Sequence, residues 1–266
     1  MIYRLLRKII TLALFFFFKK IVVSGKENRL HEGPLIIVAN HPNTLMDPLI
    51  IASLMKQQIG FIANAGIFSN ALLASVLRYF HVIPVFRKKD IAPGDKPDNK
   101  YSFLKSHEYL DKKGTILIFP EGESYYELKL REIKTGTARI ALSYESLKGL
   151  DNQLKILPIA LDYSDSIQFR SMVSVSIGEP ISLKTYKESF LENEISTVSQ
   201  LTERIRQELE RHIPHTTSKE QEQFLLKSHK FYTTFNDPKR GSAFKSKTLL
   251  SVKSPNFKSY ERSKRK

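Results

Sequence analysis

His41 and Asp47 stand six positions apart in the run Asn40-His41-Pro42-Asn43-Thr44-Leu45-Met46-Asp47-Pro48, directly after an apolar stretch that ends at Ala39. A carboxylate that accepts a hydrogen bond from one imidazole nitrogen fixes the tautomer and leaves the other nitrogen as a general base. Six residues of straight helix turn through about 600°, or about 240° around the axis, so a helix alone would splay the two side chains. A loop ahead of the helix has to bring them together. Pro42 suits a first helical turn and would leave His41 near its cap. Taken alone, the pair reads more readily as a capping histidine and an exposed aspartate than as a catalytic pair.

Two further runs follow apolar stretches. Phe119-Pro120-Glu121-Gly122-Glu123-Ser124 releases the chain from a strand and offers backbone N–H groups beside the Glu121 carboxylate. Ile83-Pro84-Val85-Phe86-Arg87-Lys88-Lys89 ends in three cations, a cluster that suits a phosphate, with Arg87 able to make a bidentate contact. The structural alternatives are an ordinary strand-to-loop turn and a solvated charge run.

Around these residues, apolar runs of strand length alternate with segments of helical period. Strands are expected at 21–24, 35–39, 59–63, 82–85, 115–119, 156–161 and 173–177, and helices at 45–56, 67–80, 100–112, 136–147 and 195–212. Near-continuous apolar strands are those of a sheet covered on both faces. The expectation is an α/β fold with a mainly parallel central sheet of about seven strands flanked by helices. In such a sheet, ligands and reactive groups collect at the carboxyl ends of the strands, where all three runs lie. Residues 90–99 carry turn residues without periodicity and form a loop between a strand and a helix. No internal repeat is present.

The 266 residues suffice for one core-forming domain. The absence of cysteine excludes disulfides, thiolate metal sites and cysteine nucleophiles. The charge of +15 is unevenly spread: residues 1–26 carry six basic residues and no acid, residues 227–266 twelve basic and two acidic, and the body between is close to neutral. Such basic ends suit nucleic acid or anionic lipid alike. At the amino end the charge brackets an apolar block, residues 9–18, between Arg7/Lys8 and Lys19/Lys20. Ten residues fall short of the roughly 20 needed to span a bilayer, so the block is read as a membrane-surface segment, with a buried core helix and a cleaved signal as alternatives. Past Thr216 the Ser/Lys-rich composition is that of a helical turn or two followed by disorder.

The three runs, in this order and each at a strand end, resemble the glycerolipid acyltransferase family, which includes glycerol-3-phosphate and lysophosphatidic acid acyltransferases. The family's blocks are Asn-His followed by Asp, a strand ending in Arg, Phe-Pro-Glu-Gly, and an apolar strand with a central proline, matched here by Ile156-Leu157-Pro158-Ile159-Ala160. The likeness runs from about residue 23 to Pro180. Two departures stand out. Five residues separate His41 from Asp47 where four are commoner, a spacing similar to that of some fungal glycerol-3-phosphate acyltransferases, and Glu123 replaces the usual Thr or small residue.

The resemblance implies a domain at 21–215 between a membrane-associating segment at 1–20 and a basic tail at 216–266. It implies His41 as base, Asp47 as its orienting partner, Arg87 and Lys134 on phosphate, and Glu121, Gly122 and Ser124 at the acceptor. It also implies acyl-CoA or acyl carrier protein as donor, a glycerol-phosphate acceptor (1-acyl-sn-glycerol-3-phosphate preferred), the cytoplasmic face of a membrane as location, no cofactor, no metal and no nucleic acid. Nucleotide-binding glycine loops and a Gly-x-Ser-x-Gly elbow are absent. A metal-dependent hydrolase using His41 and Asp47 and a basic binding module acting through residues 245–266 are the rival readings.

Overall fold

The computed structural model describes residues 2–30, 33–87, 90, 98–127, 129–148 and 154–213. Lys88, Lys89, most of the expected loop at 90–99 and the basic tail lie outside the described residues. The strands are β1 (Lys20–Ser24), β2 (Leu35–Ala39), β3 (Ile59–Asn64), β4 (Val82–Val85), β5 (Thr115–Ile118), β6 (Lys155–Tyr163), β7 (Met172–Ile177) and β8 (Ile181–Ser182). They form one sheet in the order β1-β7-β6-β2-β5-β3-β4, with β8 paired to β6. Strands β6, β2, β5, β3 and β4 are parallel. β7 runs antiparallel to β6, and β1 is parallel to β7. The seven expected strands are present. The eighth has two residues, too few to carry a pattern.

The helices are α1 (Ile2–Phe17), α2 (Met46–Leu54), α3 (Ala71–Tyr79), α4 (Lys100–Asp111), α5 (Gly136–Lys148), α6 (Lys187–Glu192) and α7 (Glu194–His212). Successive strand residues face opposite ways, which makes two cores. Ile37, Leu117, Leu157 and Ile159 pack with Ile50 and Ile51 of α2 and with Leu14 and Phe18. On the other face Ile36, Ile116 and Ile156 pack with Leu142 of α5 and with Leu201, Ile205 and Leu209 of α7. The helix expected from residue 67 starts at Ala71, after a 3₁₀ turn, because the Asn70 side chain caps it by accepting from the Leu73 N–H. Similarly, α2 starts at Met46, so Pro48, not Pro42, occupies its first turn.

Three faces can be read around α1. At about 100° per residue, Tyr3, Ile10 and Leu14 fall on the side turned to the core. Arg4 and Lys8 lie on a second side, and Ile2, Leu5, Ile9, Leu12 and Phe16 make an exposed apolar stripe on a third. Arg7 docks the helix on α2 by donating from Nη1 to the carbonyls of Met55 and Lys56, at 2.6 and 2.7 Å. Among the described residues no helix is long and apolar enough to cross a membrane.

Parallel pairing brings the carboxyl ends of β2, β4, β5 and β6 to one edge. There the side chain of buried Asn40 extends the β2–β6 pairing by one step. Its Nδ2 donates to the Leu161 carbonyl and its Oδ1 accepts from the Leu161 N–H, both at 2.8 Å. An Asn40→Ala variant leaves two buried backbone groups of Leu161 unsatisfied, at about 1–3 kcal/mol each. Urea denaturation is expected to show a correspondingly lower midpoint with an unchanged m-value.

Candidate active site

His41 is the second residue beyond β2, in the loop between that strand and α2, and Asp47 is in the first turn of α2. Asn43 shapes the loop between them. Its Oδ1 accepts from the N–H groups of Leu45 and Met46, its carbonyl from the Asp47 N–H, and its Nδ2 donates to the Ser166 carbonyl at 2.6 Å. The turn folds His41 back over the helix start, the non-helical geometry that the six-residue spacing demands. His41 Nδ1 and Asp47 Oδ2 are 2.9 Å apart.

Asp47 is fully buried. Besides His41, its Oδ2 accepts from the Asn43 N–H at 2.8 Å, and its Oδ1 accepts from the Tyr163 hydroxyl at 2.5 Å. Burial raises the Asp47 pKa above the usual carboxylate range, and the bonds from His41, Tyr163 and Asn43 oppose that rise. The Tyr163 hydroxyl is driven upward by its own burial and by the neighbouring Asp47 charge, so it stays a donor. With Nδ1–H given to the carboxylate, the Nε2 lone pair of His41 is left to accept a proton. The imidazole lies flat on Phe119, with ring centroids 3.8 Å apart and planes 12° from parallel.

Glu121, at the tip after β5, joins the same cluster. Its Oε1 accepts from the His41 backbone N–H at 3.0 Å and its Oε2 from the Arg131 N–H at 3.1 Å. Desolvation raises its pKa against those two bonds. It is buried and ties the His41 loop to the Phe-Pro-Glu-Gly corner. The Tyr125 N–H donating to the His41 carbonyl makes a second tie, which flanks Ser124. Gly122 turns the corner with φ +76, and its carbonyl accepts from Arg87 Nη1 at 3.2 Å.

Arg87 thus reaches the same rim, but its fork is engaged. Nε and Nη2 hold Asp90 at 2.6 and 2.9 Å, and that pairing raises the Arg87 pKa and lowers that of Asp90. A phosphate would have to exchange with Asp90. Lys134 is exposed and lines a cavity of about 650 Å³ with Glu121, Glu123, Tyr125, Lys129 and Arg131. A larger cavity, about 950 Å³, lies beyond Asp90 along β4 and α4 and does not include His41.

The structure therefore brings His41, Asp47, Glu121, Gly122 and Arg87 into one bonded cluster, with Ser124 and Lys134 at its margin. Tyr163 and the stacking face of Phe119 are absent from the residues singled out in the sequence. The strand-end rule that found His41 applies equally to Tyr163, the last residue of β6. Phe119 opens the Phe-Pro-Glu-Gly corner, and only its packing against His41 reveals the stacking face.

The Acyltransferase family model matches residues 20–162. An uncharacterized acyltransferase of Schizosaccharomyces pombe is 22% identical over 260 residues, which take in 66% of this chain and 38% of that protein. Glycerol-3-phosphate O-acyltransferase 2 of Saccharomyces cerevisiae is 34% identical over 114 residues, 42% of this chain and 15% of that one. The chain thus spans well under half the length of either curated relative. The crystal structure of the 1-acyl-sn-glycerophosphate (LPA) acyltransferase PlsC from Thermotoga maritima shares the fold at a TM-score of 0.56 and 21% identity, over 79% of this chain and 77% of that one.

Tyr163→Phe removes one of the bonds that hold the Asp47 pKa down, so that pKa moves further up and Asp47 takes a proton at higher pH. The expected result is a pH–rate profile whose acid limb moves to higher pH. Turnover near neutrality should fall about ten- to a hundredfold, in keeping with about 1.5–3 kcal/mol for a hydrogen bond to a charged group.

Proposed function

The chain belongs to the glycerolipid acyltransferase family, and from that premise we propose that it moves a fatty acyl group from an acyl thioester, on coenzyme A or acyl carrier protein, to a hydroxyl of a glycerol-phosphate acceptor. The observation that carries the reading is the contact between His41 Nδ1 and the buried Asp47 carboxylate at 2.9 Å. A thioester is already activated, so the chemistry requires deprotonation of the attacking alcohol and stabilisation of a tetrahedral oxyanion. Nε2 of His41 takes the hydroxyl proton as the oxygen attacks the thioester carbon. Asp47 holds the imidazole and favours the imidazolium, and the electron-rich face of Phe119 lies against that developing cation. Collapse of the intermediate expels the thiolate, which recovers the proton from His41. No acyl-enzyme is needed.

Arg87 takes the acceptor phosphate in exchange for Asp90, and exposed Lys134 adds charge at the margin. Gly122 and Ser124 lie where the glycerol backbone would rest, while Glu121 acts through the loops that it joins. The preferred acceptor is 1-acyl-sn-glycerol-3-phosphate. Support comes from the exposed apolar stripe of α1, which suits an enzyme resting on the cytoplasmic face of a membrane where such a lipid resides. The 34% match to a yeast glycerol-3-phosphate O-acyltransferase favours glycerol-3-phosphate as a second reading.

Purified protein given a labelled acyl thioester and each acceptor in turn tests the proposal. His41→Ala is expected to lose about 10²–10⁴-fold or more in turnover. Asp47→Asn should lose activity with the fold intact, and Arg87→Ala should raise KM for the phosphate acceptor more than it lowers kcat. Equal turnover by His41→Ala would remove the mechanism.

A further inference from the structure

The hairpin between β6 and β7, residues 164–171, presents two large apolar side chains to solvent. Ile167 is 83% exposed and Phe169 62%. The hairpin is not loose. Asp165 Oδ1 accepts from the N–H groups of Ile167 and Gln168, the Ser164 N–H donates to the Met172 carbonyl, and the Ser171 N–H donates to the Gln168 carbonyl. Its flank is tied to α1, since the Arg170 N–H donates to the Phe17 carbonyl at 2.7 Å and the Phe169 ring meets Phe17 edge-on at 5.6 Å. Phe17 is half-buried and follows exposed Phe16, about 100° further round the helix, so the hairpin tip lies at the carboxyl end of α1 beside the edge of its apolar stripe. The hairpin also abuts the reacting groups. It begins one residue after Tyr163, and its Ser166 carbonyl accepts from Asn43, whose N–H holds Asp47.

We propose that Ile167 and Phe169 form a second, rigid wedge that enters an anionic lipid bilayer beside the catalytic mouth, together with the stripe of α1. Charge complementarity selects the occupant. The hairpin itself is neutral, Arg170 offsetting Asp165, but Lys19 and Lys20 enter β1 against it, and the first 26 residues bring six basic residues and no acid. A second copy of this chain would set those cations against their own kind, whereas anionic headgroups attract each of them. Two contacts, one along α1 and one at the hairpin, fix how the protein lies. They hold the loop of His41 and Asn43 toward the lipid surface. The inference deepens the membrane reading of α1 and rests on it.

The chain contains no tryptophan, so a single introduced one reports on its own surroundings. Phe169→Trp and, as a control on the opposite face of the sheet, Ile195→Trp are mixed with vesicles of equal parts phosphatidylcholine and phosphatidylglycerol. The emission of Phe169→Trp is expected to shift to the blue and to be quenched by brominated acyl chains, and that of Ile195→Trp to do neither. An Ile167→Ser/Phe169→Ser variant should sediment with the vesicles about tenfold more weakly at an unchanged thermal midpoint. Unmoved emission from Phe169→Trp, at lipid concentrations where the chain sediments and Ile9→Glu abolishes sedimentation, removes this inference and leaves the α1 reading standing. No sedimentation of the unaltered chain overturns both. A blue shift that follows protein concentration without lipid assigns the surface to a second copy and also overturns the proposal. None of these readouts depends on acyl transfer, so an inactive protein that docks would count against the proposed reaction alone.

Discussion

A carboxylate with no contact to water must find partners within the protein, and the burial of Asp47 sets that requirement for the whole site. Its partners come from three places: the imidazole of His41, the backbone N–H of Asn43 and the hydroxyl of Tyr163. Each arrives on a different piece of chain, respectively the end of β2, the turn into α2 and the end of β6. Those pieces meet because β2 and β6 are parallel neighbours whose carboxyl ends share an edge. The hydrogen bonds offset the desolvation, and in doing so they aim one imidazole nitrogen at the carboxylate and the other away from it. Geometry useful for catalysis is thus the same geometry that makes the buried charge tolerable.

How much of this the sequence discloses depends on how local each cause is. Strands such as Leu35-Ile36-Ile37-Val38-Ala39 announce themselves because every residue is buried and apolar. Helix α7 does so through an apolar residue at every third or fourth position ahead of Pro214. The need for a non-helical link between His41 and Asp47 also follows from spacing alone. What local pattern cannot state is direction. The reversal at β7 depends on a short hairpin after Tyr163, and an apolar run reads the same whether it pairs parallel or antiparallel. Tyr163 escapes for a related reason, since its hydrogen bond spans 116 positions and no nearby residue hints at it. Pro42 misleads because Asn43, one residue later, takes over the turn and delays α2 until Met46.

The same contrast separates Glu121 from Arg87. Both were legible as charged groups at strand ends, but the surroundings of each decide its behaviour. Glu121 spends both oxygens on backbone N–H groups and fastens two loops together. Arg87 holds its contacts at a partly exposed position, where a carboxylate and an incoming anion can compete for one guanidinium. A brace is buried and a hand is exposed, and only packing tells them apart.

The pairing of β1 with β7 has a consequence for the order in which the molecule is made. β1 follows α1 at the start of the chain, yet its partner strand begins at Met172. At about 5–20 residues per second, roughly 150 residues of translation separate the two, on the order of ten seconds or more. Throughout that interval β1 waits for its partner strand, although α2, on which Arg7 docks α1, leaves the ribosome far earlier. The edge of the sheet that is synthesised first is thus the last to close, and its completion waits on the hairpin that reverses the chain after Tyr163.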